Sequence, residues 1–146
     1  MKEIILKEYA SFWTEDNGIL YCRIDNIVTY NKLDYKKAQL YIEAIVKLSH
    51  GVPMPLLIDL RDVKGSFSIA AAQFMSESLN NLPLIICEAF VLNSLAMNLL
   101  ILSYKRIYDT KIPYKVYDNI LDAEEYCLRN RLEYTHNNYA KIVENN

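Results

Sequence analysis

The side chains best suited to chemistry gather between positions 59 and 68. Asp59, Arg61 and Asp62 follow the run Pro55-Leu56-Leu57-Ile58, which reads as a strand covered on both faces. Ligands of open α/β sheets collect outside the carboxyl ends of strands, so these three residues are candidates for a partner or ligand site. Two acids three apart could hold a metal. Mg²⁺ sites usually add substrate phosphate or further carboxylates, however, and none is evident. Mutual Asp–Arg pairing is the simpler use. Ser66 and Ser68 stand at an expected helix start, where unpaired N–H groups and a positive dipole end suit an anion. The simpler use there is a helix cap.

Other chemistries find less support. The histidines are His50, just past an expected helix end, and His136, in a polar tail; neither has a neighbour in sequence for a nucleophile–base arrangement. Cys22, Cys87 and Cys127 are odd in number, widely spaced and set among apolar neighbours. They read as small core residues, not as a disulfide framework or zinc site. No G-x-S-x-G elbow, P-loop, G-x-G-x-x-G or H-E-x-x-H is present. The expectation is a protein that is not an enzyme and has no catalytic residues, cofactor or metal. A carboxylate site at Asp59 and Asp62 is the enzymatic alternative.

Composition sets the frame for these residues. A chain of 146 residues, 52% hydrophobic and 23% charged, fits one domain with a real core. The net charge of −2 lacks the basic excess that broad nucleic-acid binding needs. No run approaches the roughly 20 apolar residues of a membrane span, and the N-terminus carries no signal-peptide pattern. A cytoplasmic protein is expected, without nucleic-acid partner or membrane insertion.

The elements that must position the site follow from punctuation and periodicity. Residues 9–14 and 19–25 are β-prone around Asn17-Gly18, which predicts an antiparallel hairpin. Residues 27–30 extend it or add a short strand. Asp34 caps a helix from Tyr35 to about Ser49, with Gly51 just beyond. Residues 55–60 form a strand, and residues 61–67 read as a polar loop. A second helix follows Ser66 or Ser68, and residues 85–92 form a strand. Asn93 or Ser94 caps a third helix, Leu95 to about Tyr108, in which Lys105 and Arg106 favour the C-terminal dipole. Residues 114–117 form a last strand. Asp122 with Glu125 opens a fourth helix as the acidic analogue of a capping box. Strands alternating with helices imply an α/β fold: a mixed, mostly parallel sheet with an N-terminal antiparallel hairpin and about four helices. One domain spans residues 1–146, its core about 10–128, with a polar, helical and frayed tail over 130–146.

Two patches within this order resemble the STAS domain, the fold of bacterial anti-sigma factor antagonists and SpoIIAA-like proteins. Tyr30-Asn31-Lys32-Leu33-Asp34, with Ala38, is similar to the family's G-x-L-D turn. Leu57-Ile58-Asp59-Leu60-Arg61-Asp62-Val63 is similar to its D-L-S-x-V strand end, and Phe67-Ser68-Ile69-Ala70 stands where regulatory members carry D-S-S-G. The resemblance covers about residues 10–128 and implies a regulatory or protein-interaction domain. Its functional edge would join the Asn31–Asp34 turn to the Ser66–Ser68 helix start. Phe67 replaces the acid before the phosphorylatable serine, Ala70 the motif glycine, and Asn31 the turn glycine. The broader SpoIIAA-like, or STAS/SEC14-like, group is therefore the better match. Its implied role is binding of a small molecule or lipid.

The third helix and the tyrosines bear on partners. Twelve tyrosines spread over almost every element suit half-buried surfaces. Leu95, Ala96, Met97, Leu99, Leu100, Ile101 and Leu102 leave the third helix apolar nearly all round. The stripe Leu95, Leu99 and Leu102 is expected to pack on the sheet. The stripe Ala96, Leu100 and Tyr104, turned by about 100°, is then expected to form a homodimer contact or face a small apolar or amphipathic ligand. Two functions remain open: a non-enzymatic regulatory or protein-interaction domain, and a binding protein for such a ligand.

Overall fold

The computed structural model describes residues 2–25, 31–108 and 110–144. The expected strand at 27–30 and Tyr30 of the turn lie outside them. Three strands open the fold: β1 (Lys2–Leu6), β2 (Ala10–Thr14) and β3 (Leu20–Ile24), paired antiparallel. β1 is an addition to the expected hairpin and takes its place at the sheet edge. The β2–β3 connection is a five-residue loop, since Thr14 faces Leu20. Gly18 has φ 81°, and the Asn17 side-chain oxygen accepts the Ile19 N–H at 3.0 Å. Arg131 lies against Gly18 so closely that an added Cβ would meet its Nε at 2.4 Å.

The rest of the sheet is parallel. β5 (Met54–Asp59), β7 (Ile85–Val91) and β8 (Tyr114–Tyr117) extend it in the order β1-β2-β3-β5-β7-β8. A second, two-stranded parallel sheet joins β4 (Asn31–Leu33) to β6 (Gly65–Phe67). The stretch that the sequence marks as a polar loop thus ends in a short strand. The turn and the Ser66 region meet there, with Leu33 opposite Phe67.

Three helices cover one face: α1 (Tyr35–Ser49), α2 (Ile69–Asn81) and α3 (Leu95–Ile107). α4 (Ile120–Glu144) covers the other, with Ala123, Tyr126 and Cys127 buried on Leu57, Cys87, Ala89 and Val91. The Tyr21 hydroxyl donates to the Glu124 carboxylate, a second tie between the hairpin and α4. α4 starts at Ile120, before the expected acidic cap. Asn119 Oδ1 accepts the Asp122 N–H at 2.9 Å, and the Asp122 carboxylate accepts from the Asn119 amide in return. Asn119 therefore caps the helix, and Asp122 lies in its first turn as the residue whose N–H is capped.

The structure reverses the expected faces of α3. Met97 and Ile101 are buried on Leu60, Val63, Phe90 and Leu92, with Leu100 packed beside them. Leu95, Leu99 and Leu102 point outward, 73%, 55% and 41% exposed. Ala96 is exposed, while Leu100 and Tyr104 are half-buried and turn inward. Burial of the Lys105 side chain sets this rotation, which apolar periodicity alone does not reveal.

Ser68 and Ser94 cap α2 and α3, accepting the N–H of Ala71 and Met97 at 3.1 Å each. Asp34 Oδ1 accepts the Lys37 N–H at 2.9 Å and caps α1. Asp34→Ala should cost about 1 kcal/mol, read as a lower denaturant midpoint with an unchanged slope.

Candidate functional site

The three-helix face is not filled to the sheet. α4 lies close on β5, β7 and β8, and α1 lies close on the first strands, but α3 makes no comparably close backbone approach among the described residues. Beneath it lies a cavity of about 160 Å³. Its floor is Cys22, Leu56, Ile58 and Phe90, and its walls include Ile45 of α1, Ala72 and Met75 of α2, and Leu100 and Ile101 of α3. Gly65, Ser66 and Phe67 of β6 border it on the half-buried side, where the Phe67 ring meets Tyr104 edge-on, centroids 5.6 Å apart. Phe67 thus packs across to α3.

One acid breaks this apolar lining. Glu88 lines the cavity, and its side chain is 4% exposed. Its direction comes from a bulge in β7. Met54 pairs with Ile85, yet Leu56 pairs with Glu88, so β7 spends one extra residue between these pairs. A one-residue slip exchanges the two faces of a strand. Ile85 and Glu88 therefore both face the three helices, while Cys87 and Ala89 face α4.

Lys105 of α3 meets the carboxylate. Its ammonium donates to Glu88 Oε1 and, at 2.8 Å, to Thr110 Oγ1. The Tyr114, Phe90 and Tyr104 rings surround it, centroids 5.1, 5.6 and 5.7 Å away. Burial pushes the Glu88 carboxyl above its ordinary range, and Lys105 draws it partly back. Such a pair gives little net stability over apolar residues, but losing one partner strands a buried charge.

The other candidate residues are held in separate arrangements. Arg61 donates from Nε and Nη2 to Asp59 at 3.0 and 2.9 Å, and its backbone N–H donates to Asp59 Oδ1 at 3.1 Å. Burial raises the Asp59 pKa, but Arg61 outweighs it and holds the carboxyl below its ordinary value. Asp62, at φ 64°, exchanges two hydrogen bonds of 2.8 Å with Asn93. The two carboxylates are thus engaged apart, and no cluster of potential metal ligands occurs among the described residues. Asp34 and Ser68 are caps, and Asn31 pairs through its backbone with Gly65. Ser66, Leu100 and Tyr104 line the cavity. The buried cysteines divide, Cys22 to the cavity and Cys87 and Cys127 to the core under α4.

Residues 12–131 match the family model described as a domain of unknown function, DUF7793. The chain belongs to this family. The matched span contains every cavity-lining residue and the Glu88–Lys105 pair. A solved structure from Shewanella loihica PV-4, an uncharacterised protein of the DUF3478 family with a SpoIIAA-like fold, aligns with a TM-score of 0.56 and 14% identity, covering 87% of this chain and 98% of that one. This DUF7793 chain thus has a SpoIIAA-like fold, with a mostly parallel sheet, antiparallel N-terminal strands and four helices among the described residues. A comparison with curated proteins found no match.

Glu88 escapes a reading by residue type because it looks like an interruption in a buried strand. The available signal is that interruption, a lone acid within Ile85-Ile86-Cys87-Glu88-Ala89-Phe90-Val91-Leu92, with Lys105 in a similarly apolar helix. In this DUF7793 chain, Glu88→Ala should lower unfolding stability by about 3–5 kcal/mol, whereas Glu88→Leu with Lys105→Met should be near neutral. Denaturant unfolding of the two variants checks the contrast.

Proposed function

We propose that this chain is a non-enzymatic binding domain that holds a small, largely apolar molecule between the sheet and α3. The cavity carries the reading. Its lining is mostly hydrocarbon, Glu88 being its one carboxylate, and its size matches apolar cavities of roughly 150 Å³ that take up benzene. Lost packing around such a space costs a few kcal/mol, which an apolar guest restores. Ligand sites of this kind are concave, mostly apolar and furnished with a few polar groups. The cavity supports ligand binding, the alternative to the regulatory or protein-interaction role that the resemblance to anti-sigma factor antagonists implies.

Toluene is a suitable probe. It should raise the midpoint of thermal unfolding with concentration and shift the NMR signals of the Ala72 and Ile101 methyls. Ala72→Leu, which fills part of the cavity, should weaken that response at least tenfold. Unchanged signals in the wild type at saturating toluene would overturn the reading.

The outward face of α3 favours a second reading, association between two copies. Exposed Leu95, Leu99 and Leu102 forgo roughly 1.5–3 kcal/mol each when left in water. Leu99→Lys should then shift a dimer towards monomer in analytical ultracentrifugation. Wild-type protein sedimenting as a monomer at high micromolar concentration would refute it.

A further inference from the structure

The Glu88–Lys105 pair narrows the chemistry of the guest. We infer that it carries a neutral hydrogen-bond-donating head, an alcohol or phenol hydroxyl, that docks on the Glu88 carboxylate while its hydrocarbon body fills the cavity. This rests on the proposed ligand-binding function.

Charge balance comes first. Glu88 and Lys105 neutralise each other with side chains 4% and 3% exposed. An anionic or cationic head would enter without a compensating partner and would bear the full cost of burying a charge. The pair itself has no spare charge to offer. A neutral head avoids that cost.

Direction comes second. Glu88 lines the cavity, whereas Lys105 does not. The Lys105 ammonium already donates to Glu88 Oε1 and Thr110 Oγ1 and is ringed by three aromatic faces. An ionised carboxylate accepts at about four lone-pair positions, so Glu88 retains acceptor capacity beyond Lys105. The charged group on the cavity lining is thus an acceptor, and a guest meets it best with a donor. Hydrogen bonds to a charged acceptor are the stronger kind.

Position comes third. The β7 bulge turns Glu88 inward from the sheet, and Tyr104 lines the cavity from α3. The remaining walls are mainly carbon, including Ile45, Ala72 and Leu100, with Tyr41, Ser66 and Cys22 the other lining residues that carry a hydroxyl or thiol. That layout fits a molecule with one polar end, and suits neither a pure hydrocarbon nor a polyol.

Titration calorimetry of the whole chain with four matched probes tests the assignment: toluene, p-cresol, benzylamine and benzoate. The expected result is p-cresol at least tenfold tighter than toluene, with benzylamine and benzoate weakest. In the Glu88→Leu/Lys105→Met variant, toluene should bind as before and the p-cresol advantage should vanish. Retained toluene binding there shows that the cavity persists, and the wild-type series decides by itself if that variant fails to fold. Toluene binding as tightly as p-cresol would overturn the neutral-donor head while leaving the cavity reading intact. A charged probe binding tightest would overturn it too, and failure of every probe would overturn both.

Discussion

The attachment of α3 turns on the buried Glu88–Lys105 ion pair. The helix stands off from the sheet along most of its length, and Lys105 reaches across near its C-terminal end to Glu88. That reach fixes the rotation of the helix. With Lys105 inward, Met97 and Ile101 fall on the sheet side and Leu95, Leu99 and Leu102 face water. The helix is held by a directional contact at one end and by the Met97 and Ile101 side chains along it, so the space between helix and sheet need not close.

That contact depends in turn on backbone geometry two strands from the hairpin. Without the extra residue in β7, Glu88 would face α4, among Ala123, Tyr126 and Cys127 and away from Lys105. Bulge, acid and lysine form one arrangement, and each explains the presence of the others. The short β4–β6 sheet completes it from the opposite side by setting Phe67 against Tyr104. Phe67 thereby becomes part of a cavity wall.

Much of this architecture is legible in the sequence because it rests on local rules. Asp34, Ser68 and Ser94 announce helix starts by type and position, and Pro55 and the run after it mark a buried strand. Asn17-Gly18 marks the hairpin, although the loop is longer than the shortest turn. The wall and its polar group are harder to see. β6 is three residues long and exists only because β4 pairs with it, a long-range contact that local pattern cannot show. The faces of α3 are ambiguous because apolar residues ring it, and the deciding residue is a lysine that periodicity assigns to water. Glu88 depends on a bulge, which shifts alternation without leaving a residue-type signature. Asp59, Arg61 and Asp62 draw the eye by charge, yet they satisfy one another or Asn93 at a strand end.

The clasp between hairpin and last helix has a kinetic consequence. Arg131 packs on Gly18 and Glu124 takes the Tyr21 hydroxyl, so segments more than a hundred positions apart close around the sheet. Contacts that distant in sequence carry a large loop-closure entropy and slow the search for the native state. Until α4 arrives, Leu57, Cys87, Ala89 and Val91 form a bare apolar surface on one side of a sheet already coverable on the other. A growing chain would carry that surface from the completion of β7 until α4 emerges.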